Sequence, residues 1–170
     1  RFEDGTLQEI ISNYLKTKAL FGFNNVNEMK NDSVLSDGSF AKTLGYYNIN
    51  YGGSAQYKIR NKTEDDIINE GSIIALSDTN LIAELVSIYV TPEMFGAKGD
   101  GQTDDTTSIQ NAFDYAKEKE LKVIFLAKTY MISDTLTIYS FMNIDGQGSA
   151  NSFIKLIDNS LLISFQLKNL

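Results

Sequence analysis

From Thr91 to Ile138 the chain reads TPEMFGAKGDGQTDD and then TTSIQNAFDYAKEKELKVIFLAKTYMISDTLTI, and this stretch constrains the fold more than any other. It describes an extended segment, a glycine-punctuated turn, an amphipathic helix and then short strands. Ile109, Ala112, Phe113 and Ala116 recur at the i, i+3, i+4, i+7 spacing that gathers side chains on one helical face. Asp104 or Asp105 stands where a carboxylate accepts the free amides that open a helix. The helix therefore has one apolar side and a defined start.

Those residues resemble the opening segment of the pectate-lyase-like, single-stranded right-handed β-helix found in bacteriophage tailspikes and preneck appendage proteins. Phe95, Gly96, Ala97, Gly99, Asp100, Gly101, Asp104, Asp105, Thr106, Ile109, Gln110 and Ala112 carry the resemblance, which continues weakly to Gly146. It implies that the helix covers the open N-terminal end of the β-helix, where apolar side chains and unpaired strand edges would otherwise meet water. Ile109 and Phe113 are then expected to point into that end. The chain departs from the family at one turn. The usual Leu-Pro-x-Gly-x-Tyr appears as Leu126, Ala127, Lys128, Thr129, Tyr130, one residue shorter and without proline or glycine.

Upstream, the signal is of short strands. Residues 24–30 read as a small helix, and 40–44, 55–60, 72–76 and 83–89 read as strands, separated by SDGS, YGGS and NEGS turns. The run VNEMKNDSVLSDGSFAKTLGYYNINYGGSAQYKI also resembles a module that precedes the β-helix in many phage tail and depolymerase proteins, and NEGSIIALSDTNLIAELV resembles the strand pair that leads to the opening segment. The expected fold class is mainly β, in three parts: an N-terminal helix over 1–23, a small β-rich module over 24–90, and over 91–170 the opening motif, capping helix and first coils of the β-helix.

In the first part Leu7, Ile10, Ile11, Tyr14 and Leu15 fall on a helical stripe. A lone helix of this length is marginal in water, so it must pack on something. Its own domain is one partner; a trimer axis or the virion is the other, and periodicity does not choose between them. The chain starts with Arg and stops inside the strand-like run IKLIDNSLLISFQLKNL, and a β-helix needs several stacked coils, so it reads as the N-terminal portion of something longer.

Composition removes several kinds of chemistry. With 15 basic and 22 acidic residues the net charge is −7, which argues against a general nucleic-acid binder. There is no Cys and no His, so thiol nucleophiles, imidazole bases and Cys/His zinc sites are excluded within these residues. No apolar run reaches membrane-spanning length. Asp100, Asp104 and Asp105 lie close together, but their spacing lacks the alternation of an EF-hand loop, and aspartates at a turn and a helix start have ordinary capping work, so no metal or other cofactor is expected.

No catalytic residue can be named. Glu64, Asp65 and Asp66 read as a solvated loop, Glu118 and Glu120 as an exposed helix end. Tyr46, Tyr47, Tyr51 and Tyr57 surround the YGGS turn; aromatic faces stack on sugar rings, but core and subunit packing is the favoured reading. The resemblance implies a homotrimer, anchored to other virion proteins of the collar or tail, whose β-helix binds a host cell-surface glycan or glycopolymer. The alternative is a glycan depolymerase with its groove mostly beyond residue 170.

Overall fold

The computed structural model describes residues 8, 9, 11, 19–148 and 151–157, with the backbone of 166–168. Of the N-terminal stripe only Ile11 is among them, in helical backbone and half exposed. Leu7, Ile10, Tyr14 and Leu15 lie outside the described residues.

The first half forms a five-stranded sheet from β1 (Leu20–Phe23), β2 (Phe40–Thr43), β3 (Ala55–Asn61), β4 (Ile73–Ala75) and β5 (Leu81–Val86), in the order β1-β2-β3-β5-β4. β1 runs parallel to β2 and the other pairs are antiparallel. Strand β3 sits centrally because it alternates strictly: Ala55, Tyr57 and Ile59 are buried, while Gln56 and Lys58 face water. A short helix, α1 (Val26–Lys30), closes on this core through Val26 and Met29. Asn25 caps it by accepting the Glu28 amide, and the Glu28 carboxylate reaches back to the Asn24 amide.

After β5 the pairing changes character. β6 (Tyr89–Val90), β8 (Lys122–Phe125) and β11 (Ile144–Gly146) form one parallel sheet, and β7 (Asp100–Asp104), β9 (Thr129–Ile132) and β12 (Phe153–Leu156) a second. A third parallel pair joins β10 (Thr137–Tyr139) to β13 (Gln166–Lys168). Val123 pairs with Ile144 and Thr129 with Phe153, so each circuit brings the chain back beside its previous one. This is the geometry of a parallel β-helix.

The helix α2 (Thr106–Glu118) lies against β6, β8, β10 and the 3-10 turn Pro92–Phe95. Ile109, Ala112, Phe113, Tyr115 and Ala116 are its buried residues. Phe113 meets Phe125 edge-on at 6.1 Å, and Phe125 meets Tyr130 at 5.1 Å. On the other side Tyr115 donates a 2.9 Å hydrogen bond to the Leu85 carbonyl, tying α2 to the five-stranded sheet. Two details differ from the sequence reading. The strand expected over 83–89 breaks after Val86 and resumes as β6, and the stretch from Asp100 to Asp104, DGQTD, is a bulged strand on β9, since parallel pairing there outweighs its turn-like composition.

Candidate functional site: the junction of sheet and β-helix

Pro92 starts the 3-10 turn, where its fixed φ suits the first position, and Gly96 ends it in the left-handed region at φ 89°. All four turn residues are buried. The turn therefore carries the Glu93 carboxylate inside, where it is 1% exposed. Tyr130 Oη donates to Glu93 Oε1 at 2.6 Å, and Lys128 Nζ stands 3.5 Å from the same oxygen. Among the described residues Glu93 Oε2 has no hydrogen-bond partner.

The groups around Glu93 come from distant parts of the chain. Tyr130 Oη accepts the Leu126 amide at 3.0 Å, holding the shortened turn, whose Lys128 amide donates to the Leu126 carbonyl. Lys128 Nζ donates to the carbonyls of Tyr51 at 2.6 Å and Lys98 at 2.9 Å. One ammonium thus bridges the five-stranded module, the opening segment and β9. Burial, followed by the nearby Glu93 charge, pushes the Tyr130 phenol far above its ordinary range, so it remains the donor.

Gly52 and Gly53 lie directly on this cluster. A Cβ on Gly53 would stand 2.4 Å from the Glu93 carbonyl oxygen, and one on Gly52 2.9 Å from Glu93 Cγ; both have positive φ. The YGGS turn thus needs glycine for close approach as well as for its own bend.

The aspartates are satisfied locally. Asp105, expected at the start of α2, makes no side-chain capping bond. Its two oxygens instead take the amides of Lys98 at 2.7 Å and Gly99 at 3.0 Å, pinning the loop behind Phe95 and Gly96. Burial raises its pKa against the pull of those two bonds. Asp104 accepts the Thr106 amide at 3.0 Å and takes the hydroxyls of Thr106 and Ser133. Burial acts to raise its pKa, but the bonds from Ser133 and Thr106 prevail and hold it low. Asp100 accepts the amides of Thr103 and Gln102 around Gly101, and these lower it. Among the described residues no group of three or more acidic side chains is arranged to hold a metal ion.

Glu93 and Lys128 escaped sequence reasoning. A charge inside the run PEMF was the available signal for Glu93, and a lysine replacing a proline-glycine turn the one for Lys128.

With this geometry in place, residues 89–166 match the family model described as rhamnogalacturonase A/epimerase, pectate lyase-like. A 34-residue stretch is 62% identical to a capsule-specific depolymerase of Klebsiella phage K64-1, covering 20% of this chain and 4% of that protein. The preneck appendage protein of Bacillus phage PZA is 35% identical over 79 residues, 46% of this chain and 9% of the relative. Over its second half the chain is therefore similar to pectate-lyase-like proteins and to phage depolymerase and appendage proteins, and its coils are those of a parallel β-helix. Among solved structures, a tailspike of Acinetobacter phage vb_AbaP_AS12 superposes with a TM-score of 0.63 at 19% identity, over 81% of this chain and 23% of that one. At that identity the superposition speaks for the fold. The matched segments are 4% to 9% of the curated relatives' length.

Proposed function

We propose that this chain is part of a virion-attached phage protein of the tailspike, tail-fibre or appendage type, in which the five-stranded module joins the particle to a β-helix that meets the host surface. The observation that carries this reading is the succession of module, junction and parallel coils along one chain, together with local identity to a phage depolymerase and a preneck appendage protein. In this reading α2 closes the N-terminal end of the right-handed β-helix, with Ile109 and Phe113 as its plug and the Phe95–Asp105 segment as its collar. Three chains assemble around one axis. Leu7, Ile10, Ile11, Tyr14 and Leu15 supply contacts along that axis or with collar or tail proteins, and the β-helix recognises a host glycan or glycopolymer. The protein is then located on the virion tail or neck. Among the described residues no helix is long and apolar enough to cross a membrane.

A second reading, a polysaccharide depolymerase, is favoured by the stretch resembling the Klebsiella phage enzyme. Its catalytic groove would be built mostly by coils other than those described. The test is to assemble particles with the protein lacking residues 1–90 and to score incorporation by quantitative mass spectrometry. Loss of incorporation supports the anchoring role; normal incorporation overturns it.

A further inference from the structure

Beside the junction lies a hollow of about 400 Å³, lined from the module by Tyr47, Asn48 and Tyr51 and from the opening segment by Lys98 and Asp100. Its volume falls within the range typical of small-ligand pockets, about 300–1,000 Å³. The wall is fixed before any ligand arrives. Tyr47 Oη donates to the Gly96 carbonyl at 2.8 Å, its ring packs edge-on against Tyr46 at 4.8 Å, and Tyr46 Oη donates to the Glu70 carbonyl at 2.8 Å. The backbone of Tyr51 is held through its carbonyl by Lys128.

Several polar groups of this hollow have capacity left. Among the described residues the Asn48 carboxamide and the Tyr51 hydroxyl have no hydrogen-bond partner, and the Lys98 ammonium, 5.5 Å from the Tyr47 ring centre and attracted by the Asp100 charge, makes no hydrogen bond. Asp100 spends its oxygens on its own turn yet is held in the ionised form, an acceptor with lone pairs remaining. Tyr47 is 43% and Tyr51 65% exposed, so two aromatic side chains border solvent while Tyr57, close by in sequence, is fully buried. The tyrosine group thus divides, Tyr57 serving the core and Tyr47 with Tyr51 the hollow.

We propose that this hollow binds one pyranose unit of a saccharide. A pyranose offers a C–H face to an aromatic ring and a rim of hydroxyls that both donate and accept. The hollow supplies the complement: tyrosine side chains, an amide of both polarities, a cation and an anion. A phosphate-rich ligand fits less well, because Asp100 opposes Lys98 and the chain as a whole carries −7. The inference goes beyond the anchoring reading and stands whether or not residues 1–90 reach the particle.

The experiment is a titration of the intact protein, by NMR or calorimetry, with three probes: maltotriose, trigalacturonic acid and chitotriose. At least one should bind saturably with a Kd on the order of 1 mM or tighter. Tyr51→Ala and, separately, Asn48→Ala should each weaken that binding by about ten-fold, with melting temperatures unchanged, since both side chains lie outside the core. No saturable binding of any probe up to about 10 mM, or binding that survives both substitutions, overturns the proposal.

Discussion

Tyr130, on strand β9, donates a 2.6 Å hydrogen bond to the buried carboxylate of Glu93, in the 3-10 turn between the first two strands of the parallel coils, β6 and β7. Burying a carboxylate is costly unless it is paired and hydrogen-bonded, and here the two partners are Tyr130 and Lys128. Tyr130→Phe should therefore lower stability by about 1–3 kcal/mol, read from denaturant unfolding. Lys128→Met should destabilise as well, and the double variant should lose measurably more or less than the sum of the two, because both act on Glu93. Strict additivity would show that the cluster does not act as a unit.

The contact between Gly53 and Glu93 makes a second prediction. Gly53→Ala places a Cβ against a backbone carbonyl at a positive φ, so neither side can yield cheaply. A loss of about 1–3 kcal/mol is expected. Gly22→Ala is the control, because nothing lies within 4 Å of a Cβ there, and its melting temperature should stay near the parent's.

How much of this was legible in the sequence depended on how local its cause was. The helix at Thr106–Glu118 follows from the spacing of Ile109, Ala112, Phe113 and Ala116, and β3 from its alternation, because both patterns are written within a few residues. Strand β7 was hidden, since its Gly and Asp composition describes a turn and only pairing with β9 makes it a strand. Position alone left Asp104 and Asp105 as alternatives for the start of the helix: Asp104 takes the Thr106 amide, while the acceptors of Asp105 are spent backwards on Lys98 and Gly99. The Glu93 cluster was out of reach because its members come from sites far apart in the chain.

Phe113 tests the packing of α2. It is 1% exposed and its ring lies against Phe125, so Phe113→Asp would set an uncompensated charge into apolar surroundings. Destabilisation of about 3–5 kcal/mol is expected, read as a lowered melting temperature. An unchanged value would contradict the burial of this face.

A fourth prediction concerns pH. Arg60 grips Asp66 with two bonds, of 2.6 and 2.8 Å, and also reaches Glu84 at 2.7 Å. The Arg60 hydrogen bonds, helped by the Thr63 amide, hold the Asp66 carboxyl well below the usual carboxylate range. A carboxylate with a depressed folded pKa adds stability that is complete above its unfolded pKa of about 3.9 and is lost as pH falls through the folded value. Asp105 works in the opposite sense, because its pKa is raised. Comparing the parent with Asp66→Asn isolates the Asp66 share: the stability gap between them should be constant from about pH 7 to 5 and should close below about pH 4. A gap that persists undiminished to about pH 2 would contradict the assignment.

The central claim is that the sheet module faces the particle and the β-helix faces the host. Electron microscopy of particles labelled with antibody fragments against residues 24–90 tests it most directly. The account predicts label at the base of a tail or neck appendage, where it joins the particle. Label at the host-distal tip of the appendage, or particles that carry none of the protein, would contradict it.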